Sequence, residues 1–282
     1  MNTFLFLKRA TAACVLTTAG AVALTACGAH GASRATTAPA PAAGTLSRPP
    51  TLAPGPGGLT PVFMKAARAR DKTVALTFDA DMTADQGPRA AAGERFDNPR
   101  LIGTLRRLKV SATVFMTGRW AEEYPRQARA IGREPLFEVA NHSYSHHAFT
   151  EDCYGLPTVP ASGMRADVER AFTAFREAGI EHPMPYFRFP GGCYDKRALR
   201  ALSGTGVTAV QWDVVSGDAF ATDAGAVARQ VLDGVRPGSV VVMHCTRSAA
   251  PATEEALRAI VPELRKRGYR FVKVSELIRP HA

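Results

Sequence analysis

The sequence predicts an α/β fold built on a parallel sheet, open or closed into a barrel. Three observations point there. From Thr73 onward, short apolar runs alternate with longer stretches of helical periodicity. About seven such strand–helix units fill roughly 210 residues, the signature of a parallel sheet, and no internal repeat is visible. The residue types capable of chemistry fall immediately after the apolar runs, where parallel α/β folds carry their sites.

Strands are expected at 74–78, 112–116, 137–140, 186–189, 207–212, 240–243 and 269–274, each a short apolar run of strand length. Helices are expected at 98–108, 122–131, 165–178, 196–203, 224–235 and 253–266. The clearest places Val168, Ala171, Phe172 and Phe175 on one face, with Arg and Glu on the other. The first strand ends in Asp79-Ala80-Asp81 and the third runs into Asn141-His142-Ser143-Tyr144-Ser145-His146. The fourth leads into Arg188-Phe189-Pro190-Gly191-Gly192, the fifth into Asp213 and Asp218, the sixth into His244. Carboxylates, imidazoles and a guanidinium thus converge on one rim.

The chain of 282 residues is 46% hydrophobic and 21% charged. These ordinary values exclude a fully disordered protein, a coiled coil and a multi-span membrane protein. The net charge is +10, unevenly spread: residues 1–60 hold Lys8, Arg9, Arg34 and Arg48 and no acid, which leaves +6 for 61–282. Basic residues there are dispersed, which argues against nucleic acid as a partner.

The first sixty residues have their own organisation. Lys8 and Arg9 precede an uncharged, mostly apolar run over 10–24, too short to span a bilayer comfortably and suited to a signal-peptide core. Leu24-Thr25-Ala26-Cys27 then resembles a bacterial lipoprotein box, with Cys27 as the lipidated residue. Residues 28–60 are Ala, Thr, Pro and Gly almost throughout and read as an extended tether. The expected organisation is a signal over 1–26, a tether over 27–60 and a catalytic domain over 61–282. That predicts export and a lipid anchor on the outer face of the membrane, facing the cell wall.

Of five cysteines, Cys14 leaves with the signal and Cys27 takes lipid, so Cys153, Cys193 and Cys245 remain. One disulfide among them is permitted outside the cytosol. Sequence leaves the pairing open, with Cys153–Cys193 preferred. No spacing typical of a zinc-binding cysteine pair occurs.

His142 and His146 are four apart and would share a cation from one helical turn. With a carboxylate from another strand end they make a two-histidine, one-carboxylate set that leaves coordination positions open. Asp81 can supply it, leaving Asp79 free to act as a base.

On these residues the chain resembles the polysaccharide deacetylases (the nodulation-protein-B homology domain, carbohydrate esterase family four). The resemblance covers essentially all of 70–280 and rests on five motifs in order. They are Thr77-Phe78-Asp79, His142-Ser143-Tyr144-Ser145-His146, Arg188-Phe189-Pro190, Asp218, and Val242-Met243-His244. It implies a distorted (β/α) barrel in a single catalytic domain. It implies a divalent metal on Asp81, His142 and His146, with zinc favoured and cobalt, nickel or manganese as alternatives. Asp79 becomes the base oriented by Arg188, and His244 the acid fixed by Asp218. A backbone N–H near Gly191 would serve the oxyanion.

Three departures stand out. The family's second Asp falls on Ala80, moving the metal carboxylate to Asp81. The fourth motif has Ala219-Phe220 after its Asp and Val215 before it, so Phe220 or Trp212 would wall the acetyl pocket. Gly191 stands for a common Tyr and opens one side of the groove. Tyr144 and Tyr194 are further substrate-facing candidates, whereas Trp120 reads as packing, His147 as supporting or solvated, His182 as a loop residue and His281 as tail.

The expected function is metal-dependent removal of N-acetyl groups from a GlcNAc-containing polysaccharide, peptidoglycan favoured, by a monomer. The alternatives are an O-acetyl esterase on xylan-type glycans, an amidase on a small amide, and a non-catalytic wall-binding lipoprotein.

Overall fold

The computed structural model describes residues 48–67 and 71–279. The expected signal segment, the lipidation residue Cys27, the tether before residue 48 and His281 lie outside the described residues.

Among the described residues the sheet has nine strands: β1 (Val62–Phe63), β2 (Thr73–Ala80), β3 (Ala112–Met116), β4 (Phe137–Asn141), β5 (Tyr186–Phe187), β6 (Thr208–Val210), β7 (Val214–Val215), β8 (Ser239–His244) and β9 (Arg270–Phe271). Their order is β1-β6-β5-β4-β3-β2-β8-β7, with β9 against the first residues of β2, and every pairing is parallel. The sheet curls into a half-barrel whose two edges are β1 and β7, so the expected distorted barrel is present but open. β2 is buried along its whole length, as a central parallel strand covered on both faces must be.

The helices are α1 (Gln86–Ala91), α2 (Pro99–Arg107), α3 (Gly118–Glu123), α4 (Pro125–Gly132), α5 (Met164–Glu177), α6 (Lys196–Ala201), α7 (Ala224–Gly234), α8 (Thr253–Lys266) and α9 (Val274–Ile278). Their starts follow local chemistry. Asn98, Thr117, Asp195 and Asp223 each accept a first-turn backbone N–H, beginning α2, α3, α6 and α7.

Several expectations need correction. The helix expected over 122–131 is two, α3 and α4, because Pro125 forces Tyr124 out of helical geometry at φ −121° and ψ 54°. The strand expected over 269–274 shrinks to β9, and Val274 begins α9, whose first turn is tied by Glu138 and Thr113 of neighbouring strands. The strands expected at 186–189 and 207–212 are short, and β1 and β7 are additional. The tether also ends earlier than residue 60. Leu52 N–H donates to Thr208 Oγ1 at 3.0 Å, Tyr186 donates its hydroxyl to Pro50 O at 2.7 Å, and Thr60 is buried. Residues 48–60 are therefore docked on the domain.

Strand alternation divides the core. Val74, Leu76, Phe78 and Ala80 of β2 pack outward with Val114, Met116 and the helices. Ala75 of β2 packs inward with Phe115, Ala140, Tyr186, Val210 and Val240. A third cluster, around Phe149, Phe187 and Phe189, joins β5 and β6 to α5 and α6.

Candidate active site

The inner face selects the site residues by parity. Counting in twos from Ala75, Ala140, Tyr186, Val210 and Val240 leads to Asp79 and Asp81, His142, Arg188, Trp212 and His244. Register completes the placement: Asp79 of β2 pairs with Phe115 of β3 on one side and His244 of β8 on the other.

Arg188 is fully buried. Its Nη1 donates to Asp79 Oδ1 at 2.7 Å and its Nε to Val210 O at 3.1 Å, with the guanidinium 3.9 Å over the Phe115 ring and 5.4 Å from Trp212. Burial pushes the Asp79 carboxyl up, but Arg188, His142 and His244 outweigh it and leave the group below its ordinary value. Asp79 is therefore a buried, ionised carboxylate.

His142 Nδ1 donates to the Arg188 carbonyl at 2.9 Å, and its Nε2 lies 3.5 Å from Asp79 Oδ2. Because a carbonyl can only accept, the proton of a neutral ring is fixed on Nδ1 and the Nε2 lone pair faces the site.

His146 comes alongside, its ring centroid 5.1 Å from that of His142. A helical turn does not do this, contrary to the sequence expectation. Ser143 and His146 adopt positive φ, 71° and 57°. The two turns are pinned by Ser143 N–H to Asn141 Oδ1 at 2.8 Å and His146 N–H to Ser143 Oγ at 2.9 Å. His146 Nε2 lies 3.7 Å from Asp81 Oδ2, while Thr246 donates its hydroxyl to the Asp81 carboxylate. Burial lowers the His146 imidazole to about 4, with Asp81 opposing, so its ring is neutral.

His244 Nδ1 lies 2.8 Å from Asp218 Oδ1, and its backbone N–H donates to Asp218 Oδ2 at 2.7 Å. Ser216 and Thr253 donate hydroxyls to the same carboxylate at 2.9 and 2.7 Å. Burial works to lower the His244 imidazole, but Asp218 overrides it and raises the group to about 10.

These donors suit a divalent metal in kind. His142 Nε2 lies 3.5 Å from Asp79 Oδ2 and His146 Nε2 3.7 Å from Asp81 Oδ2, so two imidazole nitrogens and two carboxylates meet at one rim, the mixed nitrogen–oxygen set a divalent ion takes. Among the described residues, no three His, Cys, Asp or Glu side chains are already gathered at coordinating geometry.

The remaining candidates sort differently. Tyr144 is buried, its ring 3.6 Å under the Arg170 guanidinium and its hydroxyl bonded to Glu122 and Arg170 at 3.0 and 2.8 Å, the setting of a packing residue. Tyr194 stacks on Phe189 with ring centroids 5.3 Å apart. Trp212 is half-buried against Gly192, and Phe220 is 83% exposed on the loop after β7. Asp213, expected at the rim, instead accepts from Ser239 Oγ and Val240 N–H, at the far end of β8. Trp120 is core, donating its Nε1–H to Phe96 O at 2.7 Å. Cys153 and Cys193 form the disulfide, and Cys245 is free and buried. Gly191 sits at φ 64°, where a Cβ would come within 2.6 Å of Cys153 Sγ. A cavity of about 300 Å³ is lined by Ser145, His147, Asp167 and Arg170 among others.

Sequence reasoning missed Phe115, Ser216, Thr246 and Thr253. Phe115 carries the inward parity that could have revealed it, but the three hydroxyls have no distinguishing sequence signal.

The profile of a family described as polysaccharide deacetylase matches residues 66–210. A peptidoglycan-N-acetylglucosamine deacetylase of Bacillus cereus is 28% identical over 212 residues, covering 74% of this chain and 89% of that protein. A chitooligosaccharide deacetylase of Sinorhizobium fredii is 30% identical over 202 residues, 67% of this chain and 86% of that protein. Among solved structures, a family 4 carbohydrate esterase pseudoenzyme from Bacillus anthracis superposes with a TM-score of 0.63 at 22% identity, over 81% of this chain and 70% of that one. This last likeness is one of fold alone.

Proposed function

The chain belongs to the polysaccharide deacetylase family and is an enzyme of that class, and from that premise we propose that it removes N-acetyl groups from a GlcNAc-containing polysaccharide, peptidoglycan first, with a divalent metal as cofactor. The observation that carries the reading is the register of Asp79 with His244. It sets an ionised carboxylate and a strongly basic imidazole on adjacent strand ends, each held by its own partner, Arg188 and Asp218. Environments that push two titratable groups apart in this way assign a base and an acid.

Asp79, acceptor-only and oriented by Arg188, takes the proton of the attacking water. His244, charged and fixed by Asp218, donates its proton to the departing sugar nitrogen, giving acetate and a free amino sugar. The backbone N–H at Gly191 is assigned to the acetyl oxygen as negative charge develops there. A divalent ion held by Asp81, His142 and His146, zinc first and cobalt, nickel or manganese otherwise, supplies Lewis-acid polarisation when bound.

Export and lipid anchoring at Cys27 are proposed from the sequence of the first sixty residues. The Cys153–Cys193 disulfide supports export, since such bonds persist in oxidising compartments.

Acetate release from peptidoglycan, chitooligosaccharides and acetylated xylan, side by side with and without chelator, tests the reading. Chelator-sensitive acetate with matching new amines from the first two is the expected result. Acetate from xylan alone would move the activity to O-acetyl esters.

A further inference from the structure

We infer that Tyr154 is a stacking platform for a sugar unit flanking the one that reacts, held in place by the Cys153–Cys193 disulfide; this rests on the polysaccharide reading above. Among the described residues the exposed large apolar side chains are Met64, Tyr154, Val215 and Phe220, and Tyr154, at 87%, is the most open. It is not at a free loop tip. Its neighbour Cys153 is buried and bonded to Cys193, which ties the 150–158 loop to the turn Pro190–Gly192. The loop is further closed by Leu156 N–H to Cys153 O at 2.9 Å and Ala148 N–H to Pro157 O at 2.8 Å.

That turn begins two residues after Arg188, the partner of Asp79, so the loop is tied to the segment that leads out of the site. Tyr154 lies against Gly191: a Cβ there would meet Tyr154 Cδ2 at 3.3 Å as well as the sulfur of Cys153. The absent side chain of Gly191 makes room for a ring delivered from the other loop. Tyr154 takes φ 50°, a conformation a bulky residue rarely adopts, and most of its surface is still left to solvent. A ring fixed at its base and open on its surface suits the apolar C–H face of a pyranose, with the hydroxyl free for a sugar oxygen.

The second exposed aromatic, Phe220, follows the Asp218 that holds His244, beyond β8 and β7, whereas Tyr154 lies on the β5 side. A polymer crossing the mouth from β5 to β7 would meet a ring on each side of the reacting unit.

The test compares Tyr154→Asn, which removes the ring but tolerates positive φ, with Tyr154→Phe, which keeps it. Wild type and variants are assayed on chitohexaose and on an aryl acetate ester that fills only the acetyl site. For Tyr154→Asn, kcat/KM on the hexamer should fall about five- to tenfold, mainly through KM, with the ester rate unchanged and Tyr154→Phe close to wild type. An unaltered hexamer rate, or an equal loss on both substrates, would overturn the role of Tyr154 alone. Wild-type activity on the ester but on no glycan would instead overturn the substrate reading, and this inference with it.

Discussion

One carboxylate holds His244 twice, through Nδ1 to Asp218 Oδ1 at 2.8 Å and through its backbone N–H to Asp218 Oδ2 at 2.7 Å. Ring orientation and strand end are thereby locked together, and the imidazole keeps its proton to about 10. Asp218 is itself pushed up by burial, but its bonds to His244 and Thr253 leave it below the ordinary range.

The linkage has a definite sign. The folded-state value of His244 lies above that of an unfolded chain, about 6.5. The pair therefore contributes fully below that pH and loses its contribution as pH rises toward about 10. In Asp218→Asn the largest raising influence is gone, leaving Asp81 and Asp79 alone against burial, and the imidazole should titrate well below about 10. The imidazole C–H resonance of the metal-free protein, followed by NMR, measures this; an unchanged titration would remove Asp218 from its role.

Asp79 and Asp81 should separate cleanly. Asp79→Asn keeps an acceptor for Arg188 Nη1 but cannot take a proton, so metal should stay bound while turnover is lost. Asp81→Ala should lose the metal. Metal content after gel filtration distinguishes them, and full occupancy in Asp81→Ala would show the ligand assignment to be wrong.

Arg188→Met leaves the buried Asp79 charge without its partner. A destabilisation of about 3–5 kcal/mol is expected, read by urea denaturation. Adding Asp79→Asn should restore part of it, because the uncompensated charge is then gone. If the second change made no difference, the cost would belong to lost packing on Phe115.

Replacing both Cys153 and Cys193 by Ser opens a loop with a sequence separation of 40. Chain entropy sets the expected loss at about 4 kcal/mol. A loss under about 1 kcal/mol would mean that the loop's own hydrogen bonds suffice to hold it.

Much of the site was legible because the relevant signals are local. The apolar run ending at Phe78 declares β2, and counting in twos along it turns Asp79 and Asp81 to one side. Tyr124 and Asp213 show where local reading failed. One expected helix breaks because Pro125 restricts the residue before it, and Asp213 is claimed by the first residues of β8, more than twenty positions away. Tyr144 lies between two site histidines in sequence, yet its side chain is buried and bonded to residues of α3 and α5.

The sequence by itself determined the alternating architecture, the strands whose ends carry chemistry, and the identities of Asp79, His142, His146, Arg188 and His244. Those are properties of short segments, fixed by periodicity and residue type. Only the tertiary structure decided that the half-barrel stays open, that left-handed turns bring His142 and His146 together, that Asp213 is held by Ser239 and Val240, and which cysteine meets Cys193. Most of these depend on register and closure between segments far apart in the chain. Side chains set on different strands become neighbours only when one packed arrangement satisfies their buried polar groups together.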